Sequence, residues 1–76
     1  MDLKDAMATN LRRIRQSRGV SQEDLAERAG VSSRYIGSIE RAKVSASVTV
    51  LGRIADALEV DPSQLLLDPR LLQKSE

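Results

Sequence analysis

The side chains best suited to chemistry in this sequence are hydrogen-bond donors and cations near the middle of the chain. Ser33, Arg34 and Ser38 lie within one short stretch, and Arg41 and Lys43 follow them closely. A guanidinium can donate two parallel hydrogen bonds to a planar acceptor pair such as the O6 and N7 of guanine, whereas a serine hydroxyl makes one short contact. The pattern favours noncovalent recognition of an anionic partner that is rich in hydrogen-bond acceptors.

Covalent and metal-assisted catalysis receive little support from the residue types. The chain contains no His and no Cys, so it lacks the commonest general base, thiolate nucleophiles, disulfides and the commonest metal ligands. It has no Gly-rich phosphate-binding loop. The carboxylates of Glu23, Asp24 and Glu27 occupy exposed positions of a predicted helix and form no evident metal cluster. We therefore expect no enzymatic activity, no metal and no cofactor, and no small-molecule ligand is evident.

The composition predicts one small helical domain with an aliphatic core. The 76 residues are 41% hydrophobic and 30% charged, and the only aromatic residue is Tyr35. This is too hydrophobic for a disordered chain and too charged for a membrane span. The first residues also lack the apolar run of a signal peptide. We expect a soluble, cytoplasmic protein that does not associate with membranes.

The near-neutral net charge of +1 conceals an uneven distribution. Residues 1–45 contain nine Lys and Arg against six Asp and Glu, whereas residues 46–76 contain three against five. The first part of the chain could therefore meet a polyanion on one face, and the second part is less suited to it.

Helical spacing and repeated capping signals predict a series of short helices. Leu3, Met7 and Leu11 recur every four residues, which places them on one helix face. The residues able to cap a helix start are Asp2, Ser21, Ser32, Ser47 and Asp61. Gly19 and Gly30 can adopt the left-handed conformation that ends a helix. No segment alternates with period two for long enough to predict a strand.

The remaining segments set the domain organisation. Lys43–Ala46 is predicted to be a loop before the fourth helix. A second Asp-Pro start signal at Asp68 predicts that Arg70–Lys74 forms either a last helical turn or a frayed tail. We expect residues 1–67 to form the folded domain and residues 68–76 a C-terminal tail or short turn.

Two of the predicted helices are unusually short and closely joined. Gln22–Ala29 and Ser33–Arg41 flank a turn of three to four residues that contains Gly30, which is the geometry of a helix-turn-helix. Ala26 is small, as required where two helix axes approach closely. The spacing therefore places Arg34 near the start of the second helix of the pair, the part of such a helix that reaches base edges.

The sequence around this pair resembles the phage-repressor/Cro-type (Xre) family of DNA-binding helix-turn-helix domains. The matching runs are Leu11–Arg15, Ser21–Ala26, Ala29–Ser32, Tyr35–Ile36, Ile39–Arg41 and Ser47–Val48, with further matches from Leu51 to Val60. The resemblance covers roughly residues 8–67. The small size and the Tyr35–Ile36–Gly37 run also resemble restriction–modification controller proteins. The implied fold is an all-α, five-helix bundle of the lambda-repressor type.

The resemblance implies roles for residues around the third helix. The positions that would face bases are Ser33, Arg34 and Ser38. The positions that would contact DNA phosphates are Gln22, Ser32, Tyr35, Arg41 and Lys43. The residues themselves leave alternatives open, because Arg34 could contact a phosphate, Tyr35 could pack against the second helix, and Arg41 and Lys43 could simply stabilise a helix end. The interior position of Gly37 admits either close approach of DNA or packing against a neighbour.

Two further implications concern the scaffold. The resemblance implies that Arg15 and Glu40 form an ion pair between the first and third helices, so that removal of one would leave a stranded charge. The family usually has Gly where this chain has Ala42 and Glu59, at helix ends that prefer a left-handed residue. We expect either a cost of about 1 kcal/mol at each position or a different helix end.

The C-terminal leucines exceed what a small monomer can readily bury. These residues are Leu65, Leu66, Leu67, Leu71 and Leu72. Some of them should complete the core, and the surplus is a candidate dimer interface because exposed apolar patches usually have a partner. The alternative is that all five pack within the chain.

The favoured hypothesis is a transcriptional regulator that binds double-stranded DNA as a homodimer on a palindromic operator, with its third helix in the major groove. The alternative is a protein-interaction module, antitoxin-like or regulator-binding, that uses the C-terminal leucines.

Overall fold

The computed structural model describes residues 2–72, which form a helical bundle. The helices are α1 (Leu3–Ser17), α2 (Gln22–Ala29), α3 (Ser33–Glu40), α4 (Val48–Leu58), α5 (Ser63–Leu66) and α6 (Pro69–Leu72). No strand occurs within residues 2–72. The all-α class predicted from the sequence is confirmed. The predicted bundle of five helices corresponds to α1–α5, and α6 is the additional C-terminal turn.

The first four helices begin where the sequence placed their caps. The Oδ1 of Asp2 accepts a hydrogen bond from the backbone N–H of Lys4 at 3.3 Å. The hydroxyls of the three capping serines each accept from the N–H three residues later, at 3.0–3.1 Å, and these serines are Ser21, Ser32 and Ser47. Each cap satisfies a donor that a helix start would otherwise leave free. Local chemistry therefore fixes where α1–α4 start.

The two C-terminal turns each begin after an aspartate and a proline. The Oδ1 of Asp61 accepts from the backbone N–H of Ser63, and that of Asp68 accepts from the N–H of Arg70, both at 2.9 Å. The guanidinium of Arg70 also contacts the Asp68 carboxylate at 2.6 Å. These side-chain and backbone hydrogen bonds from Arg70 lower the pKa of Asp68 to about 2. The Asp68 carboxylate, which accepts from the first turn of α6, therefore keeps its charge to a lower pH than an unpaired aspartate.

The helices pack in two groups that share α3. Helix α1 contacts α3, α5 and α6, and α2 contacts α3 and α4. The largest fully buried apolar side chains are Leu11, Leu25, Ile36, Ile39, Ile54, Leu58 and Leu65. The core is therefore aliphatic, as the composition predicted, and it holds the inner face of α3 while leaving its other face outside.

Asn10 is a fully buried polar residue that connects α1 to the C-terminal segment. Its amide nitrogen donates to the backbone oxygens of Leu65 at 3.0 Å and Leu67 at 2.7 Å. Its side-chain oxygen accepts from the guanidinium of Arg13 at 3.0 Å. Because an unpaired buried amide is costly, these contacts fix the end of α5 against α1.

Within residues 2–72, four residues adopt positive φ at or near helix ends. Gly19 (φ 67°) and Gly30 (φ 73°) occupy the two positions where the sequence predicted such glycines. Ala42 (φ 59°) and Glu59 (φ 61°) adopt the same conformation although each carries a Cβ. Of the two outcomes expected at these positions, the structure shows the strained left-handed end.

Replacing Ala42 or Glu59 with Gly should stabilise the fold by about 0.5–1 kcal/mol at each site. The substitution relieves left-handed strain, which outweighs the added conformational entropy of the unfolded chain. Urea unfolding of Glu59→Gly and Ala42→Gly measures the gain. The control is Gly19→Ala, which introduces a Cβ into open space at φ 67° and should destabilise the fold. A loss of stability in both Gly variants would contradict the expected strain.

None of the helices within residues 2–72 combines the length and the hydropathy needed to cross a bilayer.

Candidate nucleic-acid interface

The turn between α2 and α3 holds the two helices as a closely packed pair. Gly30 ends α2 in the left-handed conformation, and the N–H of Val31 donates to the carbonyl of Ala26 at 3.0 Å. This bond closes the carboxyl end of α2. The side chains of Leu25 and Ile36 are fully buried on either side of the turn. The core thus fixes α3 relative to α2, as the sequence predicted for a helix-turn-helix.

The side chains predicted to read bases lie on the outer edge of α3. Arg34 is exposed, and Ser33 and Ser38 are half-buried. Within residues 2–72 the guanidinium of Arg34 forms no ion pair. The edge is therefore neither sealed inside the bundle nor neutralised by a partner, and its donors can face a ligand.

The predicted phosphate-contacting residues surround this edge and differ in how exposed they are. Ser32, Arg41 and Lys43 are exposed, and Tyr35 is half-buried because its ring packs against the core. The hydroxyl oxygen of Ser32 caps α3 by accepting from the N–H of Tyr35, which leaves the hydroxyl proton available to donate. Tyr35 thus packs against the core cluster while part of its surface stays exposed.

Arg15 of α1 and Glu40 of α3 lie in contact. The Nε of Arg15 donates to Oε2 of Glu40 at 2.5 Å, and its Nη2 donates to Oε1 at 3.1 Å. The two side chains are only 13% and 4% exposed. The Nη1 of Arg15 also donates to the carbonyl of Val20 at 2.8 Å. A bidentate pair of this kind defines the angle between α1 and α3.

Two other residues complete the contacts of Glu40, and sequence reasoning did not anticipate them. The Nε2 of Gln22 donates to Oε1 of Glu40 at 2.9 Å. The Nη1 of Arg12 donates to the backbone carbonyl of Glu40 at 2.9 Å. Gln22, predicted to contact phosphate, therefore also joins α2 to α3. Its amide nitrogen retains a second hydrogen that can be donated outward.

The acidic groups near this surface are largely paired. The carboxylate of Glu40 faces Arg15, and Asp24 forms an ion pair with Arg28 at 3.0 Å. Glu23 is exposed in the first turn of α2. The exposed cations at this surface are Arg34 on α3 and Arg41 and Lys43, which follow α3. The local balance favours an anionic ligand at the outer face of α3.

The C-terminal leucines separate into buried and exposed members. Leu65 is fully buried, so it belongs to the core and is unavailable to the dimer interface for which it was a candidate. Leu66 is half-buried, whereas Leu67 and Leu71 are 39% and 58% exposed. Leu72 ends α6, and its side chain lies outside the part of the chain that the structure describes, as do residues 73–76.

A second apolar surface lies between the start of α1 and the start of α4. Val48 is 85% exposed and Leu3 is 60% exposed. They line a groove of about 180 Å³ whose other apolar walls include Met7, Ile39, Val44, Leu51 and Leu66. Sequence reasoning missed this surface, although an apolar residue directly after the cap Ser47 was a signal for it.

Comparison with known proteins identifies the motif. The helix-turn-helix family model HTH_3 matches residues 11–65. The chain belongs to this family. HTH_3 is the Xre/Cro type that the sequence resembles, so the predicted resemblance is confirmed. Its members are DNA-binding transcriptional regulators and are generally not enzymes.

Relatives of this HTH_3 protein include regulators and controller proteins. A hypothetical transcription factor from Neisseria meningitidis is 36% identical over 69 residues, which are 91% of this chain and 65% of that protein. The chain thus spans about two thirds of that relative's length. The control protein C.SmaI from Serratia marcescens is 39% identical over 66 residues, covering 87% of this chain and 79% of that protein.

Solved structures confirm the fold of this HTH_3 protein. The crystal structure of the hypothetical transcription factor NHTF from Neisseria has a TM-score of 0.90 at 35% identity, over 99% of this chain and 86% of that one. The restriction–modification controller protein C.AhdI from Aeromonas hydrophila has a TM-score of 0.79 at 32% identity, over 82% and 94% of the two chains. The resemblance to controller proteins noted in the sequence therefore extends to the fold.

Proposed function

We propose that this HTH_3 protein regulates transcription by binding a palindromic operator as a homodimer, with α3 in the major groove. The observation that carries this proposal is the outer edge of α3, where Ser33, Arg34 and Ser38 reach solvent while the opposite face of the helix is fixed in the core. A helix held in this way can enter a groove without disturbing the fold.

The contacts divide into those that select a sequence and those that hold the duplex. In this proposal Arg34 reads a guanine through its guanidinium, and Ser33 and Ser38 add shorter contacts to base edges. The phosphate-holding set is Gln22, Ser32, Tyr35, Arg41 and Lys43. Phosphate contacts supply most of the affinity and base contacts supply the choice of sequence.

The dimer is proposed to form through the exposed leucines of the C-terminal segment. Leu67 and Leu71 present apolar surface that a soluble monomer would leave in water. A two-fold dimer places two copies of α3 on the same side of the duplex, about 34–36 Å apart, which matches an inverted repeat.

Selection of bound sequences from a random DNA pool tests this function. We expect two inverted half-sites centred about one helical turn, or 10–10.5 base pairs, apart. Sedimentation should show a dimer that Leu71→Glu dissociates, whereas Val48→Glu leaves it intact. A folded dimer that enriches no sequence would favour the protein-interaction alternative. Dissociation by Val48→Glu alone would move the interface to the groove beside α1 and α4.

Arg41→Ala and Lys43→Ala should weaken binding to every sequence by a similar factor. Each lost phosphate contact should make the negative slope of log K against log salt shallower by about 0.9 per monomer. Titrations of the selected operator and of a random duplex at several salt concentrations measure both effects. Arg70→Ala is the matched control, because Arg70 is already paired with Asp68. A slope unchanged in both variants would contradict the phosphate role.

A further inference from the structure

Gly37 is an unexpected residue in the interior of α3. Glycine is less favourable there than any other residue except proline. Its φ lies outside the left-handed region, so the backbone conformation does not require glycine. The position is nevertheless buried, which means that neighbouring side chains cover it. The reason for glycine must lie in those neighbours.

The neighbours are the polar ends of two residues in the proposed phosphate-holding set. A Cβ built on Gly37 would lie 3.1 Å from Nη1 and 3.9 Å from Cζ of Arg41. It would also lie 3.8 Å from Oε1 of Gln22. Side chains of a helix lean toward its amino end, so Arg41, one turn later, lies back over Gly37. The guanidinium therefore lies closer to this position than a methyl group there would ordinarily allow.

This placement brings the polar ends of Arg41 and Gln22 to the same part of the surface. Gln22 is the first residue of α2, where backbone N–H groups point out of the helix and favour an anion. The guanidinium of Arg41 and Oε1 of Gln22, which accepts hydrogen bonds, both lie within 4 Å of the place of a Cβ on Gly37. The amide nitrogen of Gln22 bonds to Glu40 and keeps one hydrogen to donate. Both residues can therefore donate toward one anionic group at the junction of α2 and α3.

We propose that Gly37 is a positioning residue whose missing Cβ keeps the Arg41 guanidinium against α3, beside Gln22, so that both face the same DNA phosphate. The proposal rests on the proposed function, because it takes Arg41 as a phosphate contact. A methyl group at 3.1 Å is closer than the roughly 3.5 Å of ordinary contact, so the flexible end of Arg41 must shift by a few tenths of an ångström from its place beside Gln22. The fold itself has no need of the glycine.

Gly37→Ala should therefore change stability and DNA affinity in opposite directions. Alanine favours the helix, so the melting temperature should rise by about 2–6 °C. Affinity for the selected operator and for a random duplex of similar length should fall by a similar factor, on the order of three- to tenfold, because a phosphate contact is weakened. A purely structural glycine would lower stability instead.

Gly52→Ala is the matched control. Gly52 lies inside α4, and a Cβ built there meets nothing within 4 Å. This variant should also melt at a higher temperature but bind both duplexes like the wild type. In an Arg41→Ala background, Gly37→Ala should still raise the melting temperature and should no longer change affinity.

Three results would overturn the positioning role. One is wild-type affinity in Gly37→Ala, and another is a lower melting temperature. The third is an equal loss of affinity with and without Arg41, which would show that the added methyl group meets DNA directly.

NMR contacts between the Arg41 side chain and the Gly37 Hα, present in the free wild type and lost in Gly37→Ala, test the packing without DNA. A wild-type chain that binds no duplex overturns the proposed function as well, whereas normal wild-type binding confines any failure to Gly37.

Discussion

Replacement of Arg15 by Ala should remove about 3–5 kcal/mol of folding free energy. The reason is the isolation of Glu40, whose carboxylate is 4% exposed and would keep the Gln22 amide as its remaining side-chain donor within residues 2–72. A charge left in such a place loses both its countercharge and two hydrogen bonds. Small domains have about 5 kcal/mol or little more to lose. Urea unfolding should show that about half of the Arg15→Ala molecules are already unfolded in the absence of urea.

The matched control is Arg18→Ala, which removes an exposed arginine from the end of the same helix. It should change stability by about 0.5 kcal/mol or less. The double replacement of Arg15 and Glu40 by leucine should recover much of the loss, because no stranded charge remains. If Arg15→Ala were as stable as Arg18→Ala, the Arg15–Glu40 ion pair would orient α1 against α3 without stabilising the fold. A double variant as unstable as Arg15→Ala would show that lost packing, rather than the stranded charge, dominates.

The fold could be predicted from the sequence because its boundaries are set locally. Each cap needs only a serine or aspartate and the N–H groups that follow it, so Ser21 and Ser32 mark helix starts without any tertiary information. Gly30 marks the turn for the same reason. The helical spacing of the aliphatic residues then indicates which face of each helix is buried. The left-handed ends at Ala42 and Glu59 could be expected only from the family resemblance.

The parts of the site that the sequence did not reveal depend on contacts between distant segments. Asn10 bonds to carbonyls more than fifty residues away, and its position three residues after Met7 on the apolar face of α1 was the available signal. The bond from Gln22 to Glu40 and the space that Gly37 leaves for Arg41 depend on how α2 and α3 cross. No pattern within either helix predicts how α2 and α3 cross.

Which of the C-terminal leucines are buried also depends on contacts between distant segments. Five leucines in one segment predict surplus apolar surface, but the choice among them depends on where α5 meets α1. That contact buries Leu65 completely and leaves Leu71 exposed. The surface proposed for the dimer is therefore narrower than the sequence indicated. Side chains at the start of α1 and α4 add apolar surface that a search confined to the C-terminus could not find.

Arg34→Ala should reduce affinity for the selected operator by about 1–3 kcal/mol, which is roughly five- to 150-fold. Arg34 is exposed near the amino end of α3, and within residues 2–72 its guanidinium has no ion-pair partner to release. A bidentate contact to guanine supplies discrimination of this size. The variant should therefore tolerate any base at one position of each half-site. Binding curves against the operator and its single-base substitutions measure the change.

The comparison that decides the role of Arg34 is between the operator and a random duplex at the same salt concentration. A base contact affects the operator far more than random DNA, whereas a phosphate contact affects both alike. Arg34→Lys separates the two further, because lysine keeps the charge but loses the planar pair of donors. If Arg34 reads a base, Arg34→Lys should bind random DNA like the wild type while its preference for that base stays weak. An equal loss on both duplexes, recovered by lysine on both, would place Arg34 on the phosphate backbone and leave Ser33 and Ser38 as the remaining base-facing side chains of α3.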